Sequence, residues 1–84
     1  MILVFLQNPW RKTGVSYRSR QAWLRGLWNS HTGRRLREML PPEAKVYVTN
    51  ANLTVADHVT QGFPPDLRHI RRTIRRLHPS IVVA

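Results

Sequence analysis

The alternation of apolar and polar stretches divides the chain into six segments of regular structure. Residues 2–6 (Ile-Leu-Val-Phe-Leu) are an unbroken apolar run of β-favouring types, which predicts a strand buried on both faces. Gln7-Asn8-Pro9-Trp10 ends that run abruptly, and residues 11–18 read as a basic loop. From Ser19 to Trp28 the spacing becomes helical: Trp23 and Leu27, and Leu24 and Trp28, are four apart and share a face. Asn29-Ser30-His31-Thr32-Gly33 signals a turn and a new helix start. Arg34 to Leu40 predicts a short helix with Leu36, Met39 and Leu40 inward, closed by Pro41-Pro42. Residues 45–49 predict a second strand, followed by the amide-rich end Asn50-Ala51-Asn52-Leu53. A connection closed by Phe63-Pro64-Pro65 leads to Asp66, a helix cap or a first-turn charge. The helix it starts runs to about Leu77, and its Leu67, Ile70, Ile74 and Leu77 form one apolar stripe expected in the core. Pro79 stops it, and residues 80–84 predict a third buried strand.

The order strand, two helices, strand, helix, strand predicts a three-layer α/β domain with a parallel sheet, because crossover connections are right-handed. Residues 1–84 read as one small domain that closes on a strand, hence as a unit truncated after its third strand or completed by a second chain. Sheets of this class hold ligands just past the carboxyl ends of their strands. Gln7, Asn8 and Asn50 occupy those ends, and they are the candidate site.

Charge narrows the partner. The chain carries 14 Lys and Arg against 4 Asp and Glu, a formal net charge of +10. Self-repulsion at that level destabilises so small a domain, and a polyanion relieves it. Twelve of the fourteen basic residues are arginine, the residue suited to bidentate phosphate contacts, so nucleic acid leads over an anionic membrane surface or an acidic protein. Arg11, Lys12, Arg18 and Arg20 follow the first strand end and are the expected phosphate contacts; the helix start at Gly33-Arg34 is another. The absence of cysteine excludes disulfides and thiolate metal sites and fits an intracellular protein of cytoplasm or nucleoid. The opening apolar run is too short and too soon broken to be a secretory or membrane segment. His31, His58, His69 and His78 have no metal-binding spacing, and no cofactor is expected. Glu38, Glu43, Asp57 and Asp66 are scattered, so no carboxylate pair offers acid–base chemistry.

The strand-end motifs, taken in order, resemble the uracil-DNA glycosylase superfamily. Leu6-Gln7-Asn8-Pro9-Trp10 is similar to the family's Gly-Gln-Asp-Pro-Tyr motif and its Asn-Pro variants. Asn50-Ala51-Asn52-Leu53-Thr54-Val55 resembles its Asn-x-x-Leu-Thr-Val stretch. Thr32-Gly33-Arg34-Arg35-Leu36 is similar to a Gly-Arg-Leu-Leu helix start, and residues 77–84 to a helix-to-strand step. The resemblance implies DNA, single- or double-stranded, as partner and hydrolysis of the N-glycosidic bond of a flipped uracil as reaction. It implies that Asn8 orients the attacking water, that Asn50 reads the base edge with one donor and one acceptor, that the backbone at Gln7 meets a base carbonyl, and that Trp28 stacks on the base. Two departures stand out. Leu6 replaces the family glycine, and the catalytic His-Pro-Ser loop is expected beyond Ala84, since His78-Pro79-Ser80 precedes a strand where the family loop follows one. Loss of one such electrostatic donor costs about 3–4 kcal/mol. The same residues also permit a non-catalytic nucleic-acid-binding module or a protein-interaction subunit.

Overall fold

The computed structural model describes residues 1–7, 19–54 and 62–84. It shows a small α/β fold with a three-stranded parallel sheet and three helices. In chain order these are β1 (Ile2–Leu6), α1 (Arg20–Trp28), α2 (His31–Met39), β2 (Val46–Asn50), α3 (Leu67–Leu77) and β3 (Ile81–Val83). Two compact units result: the sheet with α3, and the α1–α2 pair. Among the described residues no helix is long and apolar enough to cross a membrane.

In the first unit β1 is the middle strand, with β2 on one side and β3 on the other. Its Leu3, Val4 and Phe5 are all buried; consecutive side chains point to opposite faces, so both faces of β1 are covered, as an apolar run predicts. The register pairs Ile2 with Val46 and Leu6 with Asn50, so β1 and β2 end level with each other. The strand expected over residues 45–49 therefore lies one residue later and includes Asn50. β3 differs from its expected burial: Ile81 is 54% and Val82 45% exposed, whereas Val48 of β2, the other strand with one pairing partner, is 1% exposed.

α3 begins at the predicted cap. Asp66 accepts a hydrogen bond from the His69 amide at 3.1 Å, satisfying one of the free N–H groups of the first turn. The expected apolar stripe holds only in part. Ile70, Ile74 and Leu77 are half-buried, whereas Leu67, in the first turn, is 59% exposed. The most buried side chain of the helix is Thr73, whose hydroxyl donates to the His69 carbonyl at 2.8 Å and so enters the interior with its donor satisfied. His78 ends the helix in the left-handed conformation (φ 46°, ψ 55°), a turn that Pro79 then prevents from continuing as helix.

In the second unit Ser19 caps α1 by accepting from the Ala22 amide, and Ser30 caps α2 by accepting from the Gly33 amide, each at 3.1 Å. The Ser30 cap places the α2 start three residues before the expected Arg34. Met39, expected inward, is 77% exposed, while Leu36 is buried. The two helices approach so closely at Gly33 that a Cβ there would overlap the Leu27 carbonyl and lie 2.8 Å from the Trp28 Cα.

Candidate functional site

Three segments of the sheet unit meet where β1 and β2 end. Backbone pairing continues past both strands: the Ala51 amide donates to the Leu6 carbonyl at 2.6 Å and the Asn52 amide to the Gln7 carbonyl at 3.0 Å. The third segment is the lead-in to α3, held by the Asp66 amide donating to the Ala51 carbonyl at 2.8 Å. Gln7 is exposed at this rim, and its side-chain amide lies so close to Gly62 that a Cβ there would collide with Gln7 Nε2. The neighbouring atoms belong to the end of the Gln7 side chain, which can swing aside, so glycine is not required at 62.

The two asparagines after β2 have different duties. Asn52 is committed at both ends of its amide, with Nδ2 donating to the Pro64 carbonyl and Oδ1 accepting from the Thr54 amide, both at 2.9 Å. It ties the β2 loop to the α3 lead-in. Asn50 is the last residue of β2 and is 5% exposed. Its backbone carbonyl lies 3.0 Å from His69 Nε2. A carbonyl oxygen only accepts, so Nε2 carries the hydrogen and, in the neutral ring, Nδ1 is the acceptor nitrogen. Since Asp66 fixes the His69 backbone and His69 holds the Asn50 carbonyl, the first turn of α3 locks the end of β2.

Among the expected base-binding residues, Gln7 and Asn50 come together at neighbouring strand ends. Asn8, the expected water-orienting residue, lies outside the described residues, as do Arg11, Lys12 and Arg18. Trp28 belongs to the α1–α2 unit, half-buried, with the Arg37 guanidinium 5.0 Å from its ring centroid, a cation–π arrangement that occupies one face of the indole. It borders a shallow groove of about 510 Å³ with Gln21, Leu24, Arg25, Asn29 and Arg37. Arg20 is exposed and stands 5.7 Å from the Trp23 centroid. Arg34, also exposed, donates to the Asn29 carbonyl at 3.2 Å. Gly33, expected at a phosphate, is buried with its amide donated to Ser30, so the structure gives it a role in packing the hairpin.

His69 and Asn52 were not singled out from the sequence. The available signal for His69 was its place three residues after the Asp66 cap, in the helical turn that follows the second strand end. Asn52 carried only the general preference of asparagine for turns, which its bond to the Thr54 amide now explains. Among the described residues no group of three or more His, Asp or Glu side chains gathers in a way that could hold a metal ion, and no buried side-chain nitrogen or oxygen lacks a hydrogen-bond partner. No family model, curated protein or solved structure matches the chain.

Proposed function

We propose that this chain is a DNA-binding protein of uracil-DNA glycosylase type, which receives a flipped uracil at the rim formed by the ends of β1 and β2 and hydrolyses its N-glycosidic bond. The observation that carries this reading is the level ending of two adjacent parallel strands, with Leu6 opposite Asn50, which puts Gln7 and Asn50 at one edge. An amide presents one donor and one acceptor to a pyrimidine edge, and a partner fixed in advance loses little entropy on binding. His69 holds the Asn50 backbone from which that amide projects. Asn8, next after Gln7, orients water in this scheme; an amide takes no proton at neutral pH, so catalysis rests on stabilising the departing base.

Asn50→Ala tests the reading on uracil-containing single- and double-stranded oligonucleotides. Loss of two neutral hydrogen bonds is worth about 1–3 kcal/mol, so cleavage at uracil and preference for uracil-containing DNA should fall roughly 5- to 150-fold. Absence of cleavage at stoichiometric protein removes the catalytic part; absence of any preference for uracil removes the site.

A second reading, a nucleic-acid-binding module of the same fold without chemistry, is favoured by one observation. Asp66, the acidic residue of the segment that meets the rim, is engaged as the cap of α3. This reading expects DNA binding that weakens steeply with salt and is indifferent to uracil and to Asn50→Ala.

A further inference from the structure

α3 carries a second feature that the rim does not use. Arg68, Arg71, Arg72, Arg75 and Arg76 are all exposed, and Leu67–Leu77 contains no acidic residue. At 3.6 residues per turn these five positions fall within an arc of about 140°, opposite the side that holds Ile70, Thr73, Ile74 and Leu77. They form one continuous stripe. Neighbours at three and four residues, Arg68 with Arg71 and Arg72, Arg72 with Arg75 and Arg76, and Arg71 with Arg75, all repel. Arg75 and Arg76 suit the negative end of the helix dipole, but Arg68 sits in the first turn, at the positive end. Helix stability alone therefore does not account for the stripe. A solvated face would be served as well by lysine or by alternating signs, whereas this helix has five arginines and no lysine.

We infer that the arginine stripe of α3 is a docking surface for the phosphate backbone of duplex DNA. From Arg68 to Arg76 the helix rises about 12 Å, a length of duplex that carries roughly seven phosphate charges. Five guanidiniums over that span match the charge density of such a backbone, and each can take a phosphate in bidentate fashion. Arg76 also donates to the Tyr47 hydroxyl at 3.4 Å, which ties the carboxyl end of the stripe to β2. The stripe reads no bases, so it binds any duplex sequence, with or without uracil. It extends the proposed DNA-binding function but does not depend on the nucleobase rim.

The test is binding of a uracil-free duplex oligonucleotide by fluorescence anisotropy across a series of salt concentrations, comparing the wild type with Arg68→Gln/Arg71→Gln/Arg72→Gln/Arg75→Gln. Arg76 is kept because of its bond to Tyr47. Each phosphate contact contributes about −0.9 to the slope of log K against log salt, so the slope should shrink by about 3 to 4. An unchanged slope overturns the proposal. So does a variant that loses binding to phosphatidylserine vesicles or to an RNA duplex while its DNA slope stays the same. Should the variant not fold, arginine modification of the wild type by phenylglyoxal, with and without duplex, decides the matter. Protection of Arg68, Arg71, Arg72 and Arg75 supports the surface, and equal modification overturns it. Asn50→Ala, measured alongside, separates the two sites: it should lower uracil preference and leave the slope on uracil-free duplex intact.

Discussion

Gly33→Ala sets two effects of opposite sign against each other. In a helix interior alanine is favoured over glycine by about 1 kcal/mol, so at an uncrowded position the substitution stabilises. At Gly33 the added methyl would overlap the Leu27 carbonyl oxygen and stand 2.6 Å from the Leu27 carbonyl carbon and 2.8 Å from the Trp28 Cα. Carbon atoms rest at about 3.5–4.0 Å, so α2 must retreat from α1 by roughly 1 Å or more. The obstacle is backbone, which cannot swing aside as a side chain does. Overpacking typically costs about 1–3 kcal/mol, and a rigid obstacle places this case at the upper end. Retreat also loosens Leu36, the buried apolar side chain of α2. The net expectation is a destabilisation of about 2 kcal/mol, or roughly 8–16 °C in melting temperature for a domain of this size. Thermal unfolding followed by far-UV circular dichroism and by tryptophan fluorescence measures it, since Trp23 and Trp28 report from α1. A Gly33→Ala protein that melts at or above the wild-type temperature refutes the close crossing and returns Gly33 to the phosphate role its helix-start position suggested.

Two further substitutions test the anchors of α3. His78→Gly removes a side chain from a left-handed backbone position, which costs an ordinary residue about 1–2 kcal/mol; after the added freedom of the unfolded chain is subtracted, stability should rise by about 0.5–1 kcal/mol, and an unchanged or lower melting temperature contradicts the assignment. His69→Phe keeps an aromatic ring but removes the donor to the Asn50 carbonyl, so urea denaturation should show a loss of about 1–2 kcal/mol, partly restored in His69→Gln; equal stability of the Phe variant and the wild type means that the carbonyl does not rely on this bond.

Local chemistry placed the elements in advance, and pairing decided their environments. Ser19 and Asp66 act as caps because a short polar side chain before a helical repeat meets free N–H groups whatever the rest of the fold does. Ser30 obeys the same rule, yet His31-Thr32-Gly33 hid the first turn of α2, since glycine reads as a break unless a neighbouring helix needs its missing Cβ. Leu3-Val4-Phe5 and Ile81-Val82-Val83 are nearly equivalent as sequences, but the first lies between two strands and is buried while Ile81 and Val82 are exposed at an edge. Edge position alone does not decide this, since Val48 of the other edge strand is 1% exposed; what covers the faces of a strand is a non-local property that an apolar run does not encode. The same distinction governs the rim. Asn50 and Asn52 are one residue type two positions apart, and only the contacts of residues 54 and 64 show that Asn52 is a structural brace. Asn50 is set apart by what holds it: a histidine nineteen residues later in the chain fixes its backbone. In the parallel ladder the groups of residues 49 and 51 face Leu6, so the Asn50 carbonyl points away from β1 and has its partner in His69. A side chain that must meet a planar ligand at a fixed height gains directly, because an error of about 1 Å in its position costs most of the contact. Asn52, with both ends of its amide engaged in the fold, has none left for a ligand, so the proposed reading role falls to Asn50.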